Sequence, residues 1–283
     1  MLEEEEKMLV TLNRVLEYAE SYGQAIGAFN VCTLEGLQAT LEAAEELKQP
    51  VIIQFVEVHE PYISLDVMGP IMVMMAEKAS VPVCVHLDHG QKLDYLKRAL
   101  DMGFTSVMYD GSMMDFDKNV ANTKIAVEMA WEYGASVEAE LGAMGANGVS
   151  GVDGYTNPDE AARFVELTGI DALACSFGTI HGLYFAEPKL DFDRISEIRE
   201  KTGIPVVMHG GSGVSDADFK ECIKRGVRKI NYYTYSAKAG GAAVKEKCIE
   251  AGDEFVYYHD ISVWGREAIK ADVKAAMEVF SGK

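Results

Sequence analysis

The chain is 283 residues long, 48% hydrophobic and 25% charged, with a formal net charge of −19. That length and composition suit one α/β barrel with ample core material. No apolar run approaches the ~20 residues of a membrane span, and no basic patch offsets the acidic balance, which excludes a nucleic-acid partner.

Residues 1–22 read as a helix preceding the first strand, with the EEEE run solvated and favourable to the helix dipole. The opening MLEEEEK lacks the basic and apolar regions of a signal peptide, which points to the cytoplasm. Apolar, β-rich runs follow at 24–31, 51–57, 81–88, 105–110, 136–142, 172–178, 204–210 and 229–235. Between them, LEGLQATLEAAEELK, LDYLKRALDMG and VANTKIAVEMAWEYG carry apolar residues at i, i+3, i+4 and i+7, the spacing of amphipathic helices. The methionine-rich PIMVMMAEK (70–78) fits a buried helix face, and the tail after about 240 reads as terminal helices.

Strands apolar on both faces and alternating with helices imply a parallel sheet covered by helices. Eight such units predict a single (β/α)8 TIM barrel over residues 1–283, with an N-terminal helix and a C-terminal helical tail. A doubly wound open sheet is the alternative, but its first strand normally feeds a glycine-rich nucleotide turn, and AFNVCTLEG is not one. The five cysteines (Cys32, Cys84, Cys175, Cys222 and Cys248) form no CxxC, and Cys84 and Cys175 read as small buried hydrophobes.

Of the six histidines, three close an apolar run and then meet glycine: His89 in VPVCVHLDHG, His181 in ALACSFGTIHG and His209 in IPVVMHGGSG. Three neutral imidazoles at the ends of strands 3, 6 and 7 can hold a metal while leaving one coordination position open, the pattern of a catalytic Zn²⁺. In a barrel, catalytic groups gather at the C-terminal strand ends. Asn30, Glu57, Asp88, His89, Asp110, Glu138, Glu140, His181, His209 and Asn231 all fall at or near such ends. Asp88, beside His89 and on the strand face of His86, is the candidate acid/base group. Gly182 lets backbone amides approach a ligand. Gly210, Gly211, Ser212 and Gly213 open a helix beginning near Ser215, a ready anion cradle that an acidic protein needs for an anionic substrate.

Glu138 and Glu140 share one strand face. They read as a second metal position, as a carboxylate pair with shifted pKa values, or as a barrel-interior ion pair. Asp110 reads either as part of that second metal position or as a turn aspartate. His59 and His259 have no motif around them and read as surface or structural residues.

In this order, HLDHG, SVMYDGS, VEAELG, GTIHGLY, HGGSGV and KIN…T resemble the zinc-dependent class II aldolases, the fructose- and tagatose-bisphosphate aldolases. The resemblance runs from about residue 24 to 240. It implies a barrel, a catalytic zinc on His89, His181 and His209, Asp88 as acid/base, and a homodimer or homotetramer. It also implies reversible aldol cleavage of a ketose phosphate to dihydroxyacetone phosphate and an aldehyde, the metal stabilising the enediolate left by C3–C4 scission. Asn30, Gly182, Gly210, Ser212, Asn231 and Thr234 are the candidates for holding the sugar and its phosphate, with Asp110 and Glu140, or the phosphate site, as places for a second cation.

Three departures from the family pattern predict an altered substrate. The family's lysine after GTxHG-x-Tyr is here Phe185, and its N-V-D-T-D strand is here Asn231-Tyr232-Tyr233-Thr234-Tyr235. The loop after VEAELG, which carries a proton-transferring glutamate in the family, has Asp153 as its only acid. Both replacements by aromatic residues predict a less cationic, more aromatic site. Alternatives are an aldolase of an unphosphorylated or otherwise substituted ketose, a different zinc enzyme on the same barrel, or a non-catalytic metabolite-binding protein.

Overall fold

The computed structural model describes residues 7–142, 145–146 and 154–282; the EEEE run and Asp153 lie outside them. Eight parallel strands close into a barrel in the order β1 (Ile26–Asn30), β10 (Val227–Tyr232), β9 (Val206–Met208), β7 (Ala172–Cys175), β5 (Ser136–Leu141), β4 (Ser106–Tyr109), β3 (Val83–Gly90) and β2 (Val51–Val56). All eight coincide with the apolar runs of the sequence. Two short strands, β6 (Gly145–Ala146) and β8 (Ile180–His181), pair parallel outside the barrel. His181 therefore sits on its own ribbon beyond β7, not at the end of a barrel strand.

Helices α2 (Leu34–Leu47), α3 (Leu65–Lys78), α4 (Leu93–Asp101), α5 (Phe116–Glu132), α6 (Pro158–Thr168), α7 (Phe192–Thr202) and α8 (Asp216–Lys224) alternate with the strands. They cover the outward positions Phe29, Ile53, Val85, Leu87, Val107 and Tyr109, which is why the strands lack polar alternation. On α3, Met72 and Ala76 of the 70–78 stretch are buried as the sequence predicts and Met75 packs partly buried, whereas Met74 is exposed. Ser215 caps α8 by accepting from the Asp218 amide. Among the described residues no helix is long and apolar enough to cross a membrane.

The barrel interior is layered. Its lower half is apolar: Ala28, Ile52, Cys84, Met108, Ala172, Ala174 and Val207 pack against Leu12, Val15, Leu16 and Ala19 of α1 (Leu12–Tyr22). The N-terminal helix thus closes the barrel floor, and each of its large apolar residues contributes about 1.5–3 kcal/mol by burial. One pleat higher on the same faces the residues turn polar, Gln54 above Ile52 and His86 above Cys84, with Glu138, Lys229 and Asn231 also buried; on β4 the order is reversed, buried Ser106 lying one pleat below Met108. Side chains two apart share a face, so β2 and β3 each deliver an apolar plug below and a functional group above.

The last strand is shorter than the sequence predicts. Tyr233 leaves the ladder and Thr234 begins α9 (Thr234–Ala251), because the amides of Tyr233 and Tyr235 donate to Ser212 Oγ at 3.2 and 3.4 Å instead of to a neighbouring strand. A second terminal helix, α10 (Tyr258–Phe280), packs back on α2 and seats Phe280 against Phe219 at 4.9 Å.

Candidate active site

A cavity of about 480 Å³ opens at the C-terminal mouth of the barrel. Strand alternation alone would turn His89 outward, since Cys84, His86 and Asp88 face in. The β3–β4 register shifts between Leu87 and Gly90, and His89 adopts φ +48°, a left-handed conformation unusual for a residue with a Cβ. This bulge turns the ring back into the mouth. Gly210, at φ +67°, closes so tightly on the Ile180 carbonyl that no Cβ fits. The Tyr184 hydroxyl accepts from the Ile180 amide at 2.9 Å and donates to the Gly210 carbonyl at 2.8 Å, tying the His181 ribbon to the end of β9.

The three glycine-flanked histidines converge. Their ring centroids lie 4.6 Å (His89–His209), 5.0 Å (His89–His181) and 5.8 Å (His181–His209) apart. One ligand atom from each falls within 4.8 Å of the others. His89 Nδ1 lies 2.8 Å from Asp110 Oδ2, and His209 Nε2 lies 2.8 Å from Glu138 Oε1. An ionised carboxylate only accepts, so both of those nitrogens carry the proton. The remaining lone pairs, on His89 Nε2 and His209 Nδ1, then face each other at 3.0 Å. His181 Nε2 is buried without a partner. Such an arrangement is repulsive unless a cation or an extra proton satisfies it. Carboxylate-oriented histidines with converging lone pairs are the donor set of a divalent metal site.

The electrostatics agree. Burial opposes a charge on His89, but Asp88, Asp110 and Glu140 outweigh it and hold its pKa up at about 10. Burial, reinforced by the charge on His89, pushes His181 down to about 4 and His209 well below its ordinary value. The surrounding carboxylates therefore call for one positive charge among the three rings.

Asp88 is almost fully buried. Asn30 Nδ2 donates to its Oδ2 at 2.9 Å, Gln54 Nε2 at 3.2 Å, and Asn231 Nδ2 donates to Oδ1 at 3.0 Å. Burial raises its pKa, but His89, His209, Lys229 and the Asn30 bond overcome this and bring it down to about 2. A carboxylate held by three amides is fixed in place and kept ionised. Its Oδ1 lies 3.9 Å from His89 Nε2.

Glu138 and Glu140 share a face yet differ in role. Glu138 forms the barrel-interior ion pair: Lys229 Nζ is 2.8 Å from Oε2, with both side chains fully buried. Lys229 Nζ also donates to Asn231 Oδ1 at 2.8 Å, so a continuous buried chain links His209 to Asp88. Glu140 lies higher, 3.8 Å from His89 Nδ1 and 3.7 Å from His209 Nδ1, with its Oε2 unpartnered. Burial and the nearby Asp110 raise its pKa to about 8. Together with His89 and Asp110 it forms a second donor cluster.

Gly182, Gly210, Ser212, Asn231 and Thr234 all line the cavity, as does Asn30. Asn231 also serves Asp88, and Ser212 caps the turn into α9. Three expectations need correction. Glu57 does not join the site: it begins the 3-10 turn Glu57–His59 and lies 3.5 Å from exposed Lys92. Phe185 is 80% exposed and does not line the cavity, so the added aromatic surface comes from Tyr233 alone. His59 is not at the surface: it is buried, lines the cavity, and its ring lies 4.9 Å from that of Tyr233. Gln54 and Lys229 escaped the sequence reading, although a lone polar residue inside an apolar strand is the signal that marks both.

Barrel, histidine cluster and buried carboxylate are the features that the class II aldolases lead one to look for. Residues 10–283 match the family described as fructose-bisphosphate aldolase class-II. The chain belongs to that family, and it is a lyase. It is 41% identical over 282 residues to a probable fructose-bisphosphate aldolase of Bacillus subtilis, covering 96% of this chain and 97% of that one. It is 40% identical to the 6-phospho-5-dehydro-2-deoxy-D-gluconate aldolase of Halalkalibacterium halodurans, covering 97% and 98%. The crystal structure of the YdjI aldolase from Escherichia coli K12 superimposes with a TM-score of 0.86 at 37% identity, over 96% and 97% of the two chains.

Proposed function

We propose that the protein is a zinc-dependent aldolase that reversibly cleaves a ketose phosphate to dihydroxyacetone phosphate and an aldehyde, with a substrate other than the usual bisphosphate. One observation carries this reading: the lone pairs of His89 and His209 face each other at 3.0 Å beside the buried carboxylate of Asp88. His89, His181 and His209 would hold the ion, which when bound supplies Lewis-acid polarisation of the ketose carbonyl. Asp88 takes the proton of the C4 hydroxyl as the C3–C4 bond breaks and returns it in condensation. Asn30, Gln54 and Asn231 keep that carboxylate aimed and ionised. Asp110 and Glu138 orient the two ring ligands, so we take Asp110 as an orienting group before a second ligand; Glu140 is the free carboxylate of any second cation position. Gly182, Gly210, Ser212 and Thr234 form the phosphate cradle, aided by the N-terminus of α9.

Two relatives of nearly equal similarity, 41% and 40%, carry names for different ketose substrates, so overall likeness does not choose one. Tyr233, in the cavity where the resemblance places an aspartate, and the absence of the family's lysine at exposed Phe185 support a substrate other than the usual bisphosphate. We also propose a cytoplasmic homodimer or homotetramer; the exposed Phe255 and Tyr257 between α9 and α10 and Tyr258 at the start of α10 suit a subunit contact, and light scattering tests it.

The functional test is a retro-aldol screen over phosphorylated and free ketoses, coupled to triose detection, with zinc measured on the same sample. Chelation is expected to remove activity and zinc to restore it. Full turnover by metal-free protein, or no carbon–carbon cleavage of any ketose, overturns the reading. Cleavage of fructose 1,6-bisphosphate at ordinary class II efficiency overturns the altered specificity alone.

A further inference from the structure

The cavity has two unlike halves. One is the glycine-rich cradle from β8, β9 and the start of α9. The other is walled by Val56 at the end of β2, by Val58 and His59 just after it, and by Tyr233. Asp88, Asp110 and Glu140 line the space between them, and among the described residues no Lys or Arg lines it. Residues 143–153 add none, since that stretch of sequence contains neither. A phosphate bound at the second half would meet carboxylates with neither a cationic side chain nor the glycine-rich turn and helix N-terminus that serve an anion in the first half.

What the second half offers is a neutral hydrogen-bonding group. His59 is only 5% exposed and lines the cavity, and its Nδ1 has no hydrogen-bond partner. Burial lowers its pKa, so the ring is neutral, with one donor and one acceptor nitrogen. The ring is set at 4.9 Å from Tyr233 and 6.0 Å from Tyr62. The Tyr233 hydroxyl is already joined to Cys32 Sγ at 3.3 Å, leaving His59 as the unused polar group of this wall. Buried polar nitrogens are normally paired, and an unpaired one on a side chain that lines a cavity points to a partner supplied by a ligand.

We infer that the aldehyde half of the substrate carries hydroxyls and no phosphate, and that His59 is the specificity-determining residue that binds one of those hydroxyls. This rests on the aldolase reading of the site. A hydroxylated chain needs only hydrogen bonds, which a neutral imidazole gives without a counter-charge.

The test uses zinc-loaded full-length enzyme and follows consumption of dihydroxyacetone phosphate with three aldehydes: glyceraldehyde (both enantiomers), glyceraldehyde 3-phosphate and propionaldehyde. The expected kcat/KM for glyceraldehyde is at least tenfold above each of the other two. His59→Phe keeps the ring packing against Tyr233 and removes both nitrogens. It is expected to cut the glyceraldehyde-to-propionaldehyde ratio about tenfold, with zinc content and circular dichroism unchanged. If His59→Phe loses its fold, His59→Gln, which restores a donor and an acceptor, must keep at least a third of the ratio. Preference for the 3-phosphate, or an unchanged ratio in His59→Phe, overturns the inference and leaves the aldolase reading standing. Consumption with none of the three overturns both.

Discussion

Lys229 touches no substrate space, yet its removal should be among the most damaging single changes in the chain. Its Nζ is 2.8 Å from Glu138 Oε2 and 2.8 Å from Asn231 Oδ1, in a fully buried environment. Lys229→Met preserves most of the stem volume and deletes the charge. Glu138 is then left with His209 Nε2 at 2.8 Å and His86 Nε2 at 3.6 Å, neither a full cation. Breaking a buried ion pair from one side costs about 3–5 kcal/mol, since the orphaned charge stays desolvated. For a domain of this size that corresponds to a fall in Tm of roughly 6–15 °C.

Removing both charges should cost much less. In Lys229→Met/Glu138→Gln the amide still accepts from His209 and no charge is left unpaired, so about 2 kcal/mol or more should return as coupling energy. Denaturant unfolding of wild type, both single variants and the double, all at saturating zinc, measures this. A single-variant loss below about 1 kcal/mol, or strict additivity in the double, refutes the reasoning. The function should follow in the same direction: without Lys229 the Asn231 amide is free to flip, and kcat should fall through misplacement of Asp88 even where zinc content is normal.

The histidine cluster and the barrel were legible because both follow from local pattern. A ligand at a strand end must be followed by a turn, and glycine marks that turn at His89, His181 and His209. The depth of each residue was not legible. Period-two alternation shows that Glu138 and Glu140 share a face, but two residues of rise, about 6.6 Å, put one against Lys229 and the other in the mouth. The partner arrives from β10, across the barrel, and no local spacing encodes that. His89 defeats the alternation rule because its bulge is a tertiary feature of the β3–β4 pairing. The tyrosine-rich end of KINYYTY favours a strand by propensity, and Ser212 overrides it by drawing off two amides. His59 carried no motif at all: its meaning is set by an aromatic neighbour 174 positions further along the chain, Tyr233.

Asp88→Ala should lower kcat by about 10²–10⁴-fold with zinc still bound at wild-type stoichiometry; loss of the metal in that variant would count against the acid/base assignment. His181→Ala should lose both zinc and turnover, and a retained equimolar metal by emission spectroscopy would exclude it as a ligand. Asp110→Asn should weaken zinc about 10–100-fold in a chelator competition, because the amide no longer enforces the Nδ1 proton of His89; unchanged affinity would remove Asp110 from its orienting role. Gly210→Ala joins the fold to the site. Its φ of +67° costs a Cβ-bearing residue about 1–2 kcal/mol, and the added methyl meets the Ile180 carbonyl, so the loss should exceed about 2 kcal/mol. The strain falls on the ribbon that carries His181, and the Tyr184 bond to the Gly210 carbonyl transmits it. Zinc affinity should therefore drop together with stability. A variant that is destabilised but binds zinc normally would show that the ribbon and the ligand are held independently.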